Sequence, residues 1–550
     1  MDIFARLTRG AQFDRKRFQR EIELFKTPEE SAASDKRQGS APGAEFQVPD
    51  FFAPKGSKAL EKAGKEAPKL AEVAAVEAPS AEPSDVLLDT PEKVKSFRSE
   101  NKIRVFGSDI VNPIPSFNGL FESYQLRPFL QKNIQALEFT APSPIQMQAI
   151  PIGLANRDIL ACAPTGSGKT LAFSIPILHH LKAPQKGGFR AVIVSPTREL
   201  AQQIHRQFEV LCKGKPFKIC VLTAVSNTGD DTALGKFKNF DILITTPLRL
   251  VTAIKTNSIK LDLVQHIVFD EADKLLDEGF LEQADEILAA CTNPRLQTSL
   301  FSATIPSSIE SLAKTFQKDP ARVIIGVSNA ATSDITQRLE FVGQEEGKLV
   351  AIRQLLAVGL TPPVLIFVQS IDRARQLFHE LVYDNINVDM IHSERTRTQR
   401  DKIVENFRAG KIWVLITTEV LGRGIDFKGV NMVINYDFPQ TVASYIHRIG
   451  RCGRAGRPGT AVTYFTREDA PYLKSVVNVV RASGGHVAEW MTKLPKPSKM
   501  LKQARKFKPV DREKISTQTT WDERRQKKKR DMDLGQIRRS KKAKMATTSD

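Results

Sequence analysis

Cysteine is scarce in this chain. Its five copies, at positions 162, 212, 220, 291 and 452, form no Cys-x-x-Cys spacing and are odd in number. That pattern argues against a disulfide framework and against a zinc site, and it fits a reducing intracellular compartment. Also missing is any run of eighteen apolar residues. Residues 1–26 mix charges with single apolar side chains where a signal peptide would have an apolar core, so no membrane association is expected. Acid is in deficit: 62 Asp and Glu face 81 Lys and Arg, a net charge of +19. Residues 496–550 hold 19 basic against 7 acidic side chains and so carry +12 of that excess. A polyanion is the natural partner of such a tail, and residues 524–530 (RRQKKKR) also read as a nuclear import signal.

What is present suffices for folded cores. A hydrophobic content of 41% over 550 residues excludes a wholly disordered chain and leaves room for two or three domains. Residues 27–95, rich in Ala, Pro, Ser, Glu and Lys without apolar periodicity, read as a disordered linker. From about residue 103 to 472 short apolar runs alternate with amphipathic stretches, the pattern of parallel sheets covered by helices. Strands are predicted at 158–163, 190–195, 219–224, 240–245, 265–269, 297–301 and 322–325, then at 363–368, 388–392, 412–417, 432–436 and 460–465. The Ser-, Asn-, Ala- and Thr-rich stretch 326–335 separates the two series like a hinge. The expected division is an N-terminal extension (1–95), a nucleotide-binding domain (96–326), a linker (327–335), a second domain (336–485) and a basic tail (486–550). Ligands of such open sheets collect at the carboxyl ends of strands, so the segments after each run are where chemistry is sought.

After the run ILACA come Ala163, Pro164, Thr165, Gly166, Ser167, Gly168, Lys169 and Thr170, then a helix-like stretch. Glycines let the backbone wrap a phosphate, and the amides opening the helix point at it. Lys169 reaches the β and γ oxygens, and the Thr170 hydroxyl can ligate Mg²⁺. Ala163 stands where this pattern usually has glycine. About 100 residues later the run HIVF leads into Asp270, Glu271, Ala272 and Asp273. Alone, four such residues would more often cap a helix. After a strand that neighbours the phosphate loop, Asp270 would hold Mg²⁺, leaving Glu271 to orient or deprotonate the attacking water.

Those four residues spell DEAD, and from about 117 to 465 the chain resembles DEAD-box RNA helicases, with further motifs in that family's order. The resemblance implies two tandem RecA-like parallel-sheet α/β domains, a P-loop NTPase of the superfamily 2 helicase core, flanked by disordered extensions. It also implies that ATP is the substrate and Mg²⁺ the cofactor. Gln146, in PSPIQ, would read the adenine edge and Phe139 would stack on the base. Either Phe117 or Phe121 supplies the upstream aromatic of that motif, and Glu138 replaces its usual glycine. Ser302 and Thr304, in Ser-Ala-Thr, are expected to link the carboxylates to interdomain closure. Arg451 and Arg454, in HRIGRCGR, match the arginine fingers, since fork-shaped, permanently charged guanidinium groups suit the charge spread over a γ-phosphate in transfer. By the same resemblance Asp426 holds the ribose and His447 couples the domains.

RNA contacts are expected, again by resemblance, from Pro196, Thr197 and Arg198 and from Thr246, Pro247 and Arg249 in the first domain, and from Ser370, Arg400 and Thr417 in the second. Leu248 stands at a customary glycine, Glu419 at a customary aspartate and Gly422 at a customary alanine, while the double-glycine element shrinks to the region of Gly229. Contacts to phosphate and sugar bring affinity without sequence choice, and the 2′-hydroxyl separates RNA from DNA. Base-stacking aromatics are not conspicuous along these motifs.

Met1–Phe4, Leu7–Ala11 and the lead-in containing Ile103, Gly107, Pro113, Ile114, Ser116 and Phe117 resemble the Rok-type branch of the family. That branch implies ATP-dependent remodelling of pre-ribosomal RNA for the small subunit, in the nucleus and nucleolus, by a monomeric core assisted by pre-ribosomal proteins. The alternatives are an ATP-gated RNA clamp that unwinds little, an RNA helicase of splicing or translation, and a DNA translocase.

Overall fold

A computed structural model of the chain describes residues 88–222, 237, 239–277, 279–326, 334–419, 429–453, 457–494, 512 and 515. Asp426 and Arg454, the region of Gly229, nearly all of the linker, the basic cluster at 524–530 and residues 1–87 lie outside them. Among the described residues no helix is long and apolar enough to cross a membrane.

Among the described residues fourteen strands form two sheets. In the first, β1 (Ile103–Phe106), β2 (Ile159–Cys162), β3 (Ala191–Val194), β4 (Ile219–Val221), β5 (Ile242–Thr245), β6 (His266–Asp270), β7 (Gln297–Ser302) and β8 (Ala321–Ile325) run in the order β1-β8-β2-β7-β6-β3-β5-β4. In the second, β9 (Ile335–Phe341), β10 (Val364–Val368), β11 (Val388–Ile391), β12 (Val414–Thr418), β13 (Met432–Asn435) and β14 (Gly459–Phe465) run β11-β12-β10-β13-β14-β9. The central strands are buried along their whole length because helices cover both faces, which is why they read as unbroken apolar runs and not as alternation. Each sheet separates two apolar clusters, one per face.

Two strands escape the apolar-run reading, both at sheet edges. β1 is antiparallel to β8 and alternates buried and exposed residues. β9 begins at Ile335, assigned above to the linker; it pairs with β14 along seven residues while Thr336 and Arg338 face outward. One-sided edge strands carry polar residues that break the apolar run. Packing also extends past residue 485: the short helix Glu489–Thr492 buries Met491, and Arg512 and Ile515 lie against the second sheet's lobe.

The register decides where chemistry collects. Cys162 lies opposite Ser302, Phe301 opposite Asp270, and Val194 opposite both Phe269 and Thr245, so the segments leaving β2, β7, β6, β3 and β5 emerge side by side. The strand of Asp270 is not the immediate neighbour of the phosphate-loop strand. β7 lies between them and delivers Ser302, Ala303 and Thr304 into the gap.

Candidate active site

The phosphate loop turns at Gly166 (φ +80°) and Gly168 (φ +88°), and the helix Lys169–Leu181 starts immediately after. A Cβ on Gly168 would lie 2.3 Å from Gln146 Nε2. That closeness is used: Gln146 Nε2 donates to Gly168 O (3.1 Å) and Ser143 Oγ to Ser167 O (2.7 Å), so the PSPIQ segment props the loop from behind. Lys169 is buried, and its Nζ donates to the carbonyls of Ala163 (2.7 Å) and Pro164 (3.1 Å). Burial lowers the affinity of its amine for a proton, and the charges of Asp270 and Glu271 oppose that. Ala163 is itself buried and its amide bonds Ser302 O at 3.0 Å, tying loop to β7. Thr165, Ser167 and Thr170 are half-buried around the loop.

Phe139 is 54% exposed, so its ring face is open to a flat ligand, and Glu138 beside it has φ +54°. The substituted glycine position is therefore one that needs a left-handed backbone. Phe117 and Phe121 are both buried in one cluster with ring centroids 6.5 Å apart, so exposure does not choose between them.

Asp270 ends β6 almost completely buried, its Oδ1 accepting from the Glu271 amide at 3.0 Å. Burial pushes its carboxyl up to about 7, against the pull of Lys169. Glu271 sits at φ +53° and ψ +50°, a backbone strain of the kind found at functional sites. Its Oε2 is buried with no hydrogen-bond partner, while Oε1 lies 3.7 Å from Arg451 of the other lobe. The described residues contain no cluster of three metal-binding side chains. A buried carboxylate within the electrostatic reach of the phosphate-loop lysine fits a hard oxygen-seeking ion completed by substrate oxygens and water.

Four contacts between described residues join the lobes. The helix Val442–Ile449, capped by Thr441, carries His447, whose Nε2 meets Asp273 Oδ2 at 2.7 Å. The same oxygen accepts from Thr304 Oγ1 at 2.6 Å, and the Thr304 amide donates to Ser302 Oγ at 3.2 Å. Ser302, Thr304, Asp273 and His447 thus form one chain across the cleft. Asp273 received no role above, although as the last residue of the DEAD run it was in plain view. Thr165 Oγ1 donates to Gly450 O (3.0 Å), and a Cβ on Gly450 would lie 2.2 Å from Thr165 Oγ1. Arg451 is 3% exposed, held by its own Nε to His447 O (3.3 Å) and aimed at Glu271.

The fourth bond lies on the other flank of the cleft. Arg400, on the helix Arg397–Arg408, pairs with Glu199, which follows Pro196, Thr197 and Arg198 at the end of β3. Thr197 caps its helix at Leu200 N, and Arg198 is exposed. Thr246 and Pro247 open the helix after β5, with Arg249 half-buried and Leu248 exposed. Ser370 is exposed and caps the helix Ile371–Tyr383 at Arg373 N. Thr417 is fully buried, its hydroxyl donating to Thr418 O at 3.1 Å. Arg448 braces this side through Asp437 O (2.8 Å) and Glu419 (3.6 Å).

Residues 143–312 match the DEAD/DEAH box helicase family, and residues 347–456 match the helicase conserved C-terminal domain. The chain is 46% identical to the ATP-dependent RNA helicase ROK1 of Lodderomyces elongisporus over 99% of both. A match to the Dictyostelium discoideum protein named "Probable ATP-dependent RNA helicase ddx52" is 54% identical over 77% of this chain and 63% of that one. The structure of S. cerevisiae Dbp5 bound to RNA and ADP BeF3 superposes with a TM-score of 0.58 at 28% identity, covering 68% of this chain and 94% of that one. Two RecA-like lobes, a phosphate loop and DEAD carboxylates facing an arginine-bearing second lobe, and likeness along essentially the whole length of a ROK1 helicase place the chain in the DEAD-box family of ATP-dependent RNA helicases.

Proposed function

We propose that this protein hydrolyses ATP in a cleft that is complete only when its lobes meet, and that it uses this closure to open short RNA duplexes locally in pre-ribosomal RNA. The carrying observation is the division of the site: Lys169, Asp270 and Glu271 stand on one lobe, and Arg451 reaches Glu271 from the other. Asp270 and Thr170 would hold Mg²⁺, which when bound neutralises charge on the β and γ phosphates. Lys169 exchanges its two loop carbonyls for phosphate oxygens. Glu271, with one oxygen unbonded, orients the attacking water and accepts its proton. Arg451 stabilises the charge on the transferring group, a role shared with Arg454, while Asp426 holds the ribose, Gln146 the adenine edge, and Phe139 the base face.

RNA lies across both lobes, along Pro196, Thr197, Arg198, Thr246, Pro247 and Arg249 on one and Ser370 and Arg400 on the other, while the buried Thr417 lies beneath that track. A ligand touching both favours closure, so RNA and ATP each strengthen the other's binding by one shared coupling free energy. The Rok-type likeness and the +12 tail support a nucleolar site of action on small-subunit precursors, with protein partners and a monomeric core.

Arg451→Ala tests the division. ATP affinity is expected within a few-fold of wild type while RNA-stimulated kcat drops by roughly 10³-fold or more; turnover within tenfold of wild type would refute the shared site.

A further inference from the structure

The tail returns to the second lobe at two points. The Arg512 side chain is 2% exposed and every edge of its guanidinium is engaged: Nε donates to Gln369 Oε1 (2.8 Å), Nη1 to Glu345 Oε1 (2.7 Å) and Nη2 to Asp469 Oδ1 (2.7 Å). Asp437 Oδ1 lies 3.7 Å from Nε. Three residues on, Ile515 is buried in the apolar cluster that includes Val368, Ala374 and Leu377, and its amide donates to Gln376 Oε1 at 2.9 Å.

Charge balance explains why an arginine is there. Glu345, Asp437 and Asp469 are three carboxylates at most 10% exposed. Lys348 bonds Glu345 (2.7 Å) and Asp437 (3.1 Å), and Arg373 bonds the same two at 2.9 and 2.7 Å. Among the described residues the ion pair to Asp469 comes from Arg512. Without it the cluster holds three anions and two cations, and a buried charge lacking a partner is strongly destabilising. Burial alone would raise the Asp437 carboxyl, yet Lys348, Arg373 and Arg512 outweigh it and hold that group well below the carboxylate range.

The cluster lies under the turn that leaves β10. Asp437 Oδ2 accepts from the Gln369 amide (2.9 Å) while Arg512 holds the Gln369 side chain, so backbone and side chain are both fixed. The next residue is Ser370. We propose that Arg512 and Ile515 act as two anchors of an intramolecular strap, with Arg512 a positioning residue for the Gln369–Ser370 turn, so that the second lobe grips RNA phosphate only with those anchors in place. The gripping half of this inference rests on the RNA track given above; the strap itself does not.

The test uses full-length protein, with amide hydrogen exchange and RNA-stimulated ATPase on a single-stranded oligouridylate. In wild type the amides of Ile515, Gln369 and Arg373 are expected to be protected without RNA. In Arg512→Gln, protection at all three is lost and the KM for RNA rises roughly tenfold, as befits a lost charge-assisted bond, with kcat at saturating RNA and the KM for ATP within about twofold. Arg512→Lys keeps the charge but cannot span three acceptors. It is expected to keep more thermal stability than Arg512→Gln while raising the KM for RNA as much, a split that a purely structural role would not give. An unprotected Ile515 amide in wild type overturns the strap. Exchange that changes in Arg512→Gln while the KM for RNA does not overturns the positioning role. A wild-type ATPase that RNA fails to stimulate would sink the RNA track instead, leaving the strap supported by its exchange pattern.

Discussion

The two flanks of the interlobe cleft are built on opposite terms. On the nucleotide flank Lys169, Asp270, Glu271, Thr304, His447 and Arg451 are all nearly sealed from solvent, with Thr304 and His447 meeting on Asp273 and Arg451 facing Glu271. On the nucleic-acid flank Arg198 and Ser370 are exposed, and the hydroxyls of Thr197 and Ser370 cap helices. Charge developing on a transferring phosphoryl group is stabilised best where water is excluded and dipoles are already oriented. A polyanion's backbone needs open, repeated contacts whose strength falls with salt. Under the proposed function one cleft would serve both, because closure would keep the nucleotide flank dry while the other stays open to a long ligand.

The sharpest way to break this contrast is to keep the dry flank from closing. In Gly450→Ala the added Cβ meets Thr165, and overpacking of about 1–3 kcal/mol is expected to lower RNA-stimulated kcat roughly 10- to 100-fold with ATP binding little changed; steady-state kinetics with a nucleotide titration decides it. On the wet flank, Arg198→Ala should raise the KM for RNA roughly tenfold and flatten the salt dependence of RNA binding by about one phosphate contact, leaving kcat at saturating RNA intact. A loss of kcat there would mean the flanks are not separable.

β6 sharpens the contrast along its own length, since it ends in Asp270 and begins in His266. Burial, with His180 adding, pushes the His266 ring down to about 3. The unfolded chain therefore takes up this proton first, and stability is full above about 6.5 and declines as pH falls toward 3, by about 1.4 kcal/mol per pH unit. Thermal melts of His266→Asn across that window should show a shallower acid slope. The smallest effect is expected at Glu138→Gly. Relieving a left-handed backbone is worth about 1 kcal/mol, roughly 2–4 °C in melting temperature, with ATP affinity retained.

Much of this was legible from residues alone. Unbroken apolar runs marked the inner strands because parallel sheets are buried on both faces, and edge strands β1 and β9 escaped because one wet face interrupts the run. Phosphate-loop and DEAD residues stood out because each motif's chemistry is local: a glycine turn and its lysine fall within a few positions of each other, and the carboxylates directly follow the apolar run of their own strand. Glu138 was visible as an oddity, yet only its φ of +54° showed what the usual glycine is for.

Sequence by itself determined the element types, the two-lobed α/β class and the neighbourhood of each motif, since those depend on periodicity and on residues adjacent in the chain. Tertiary structure alone decided the partners: β7 inserted between β2 and β6, Asp273 shared by Thr304 and His447, Arg400 set against Glu199, and Arg512 returning to Glu345 and Asp469. Those contacts join positions 31 to 201 residues apart, and at such separations charge balance and burial, not local propensity, choose who meets whom.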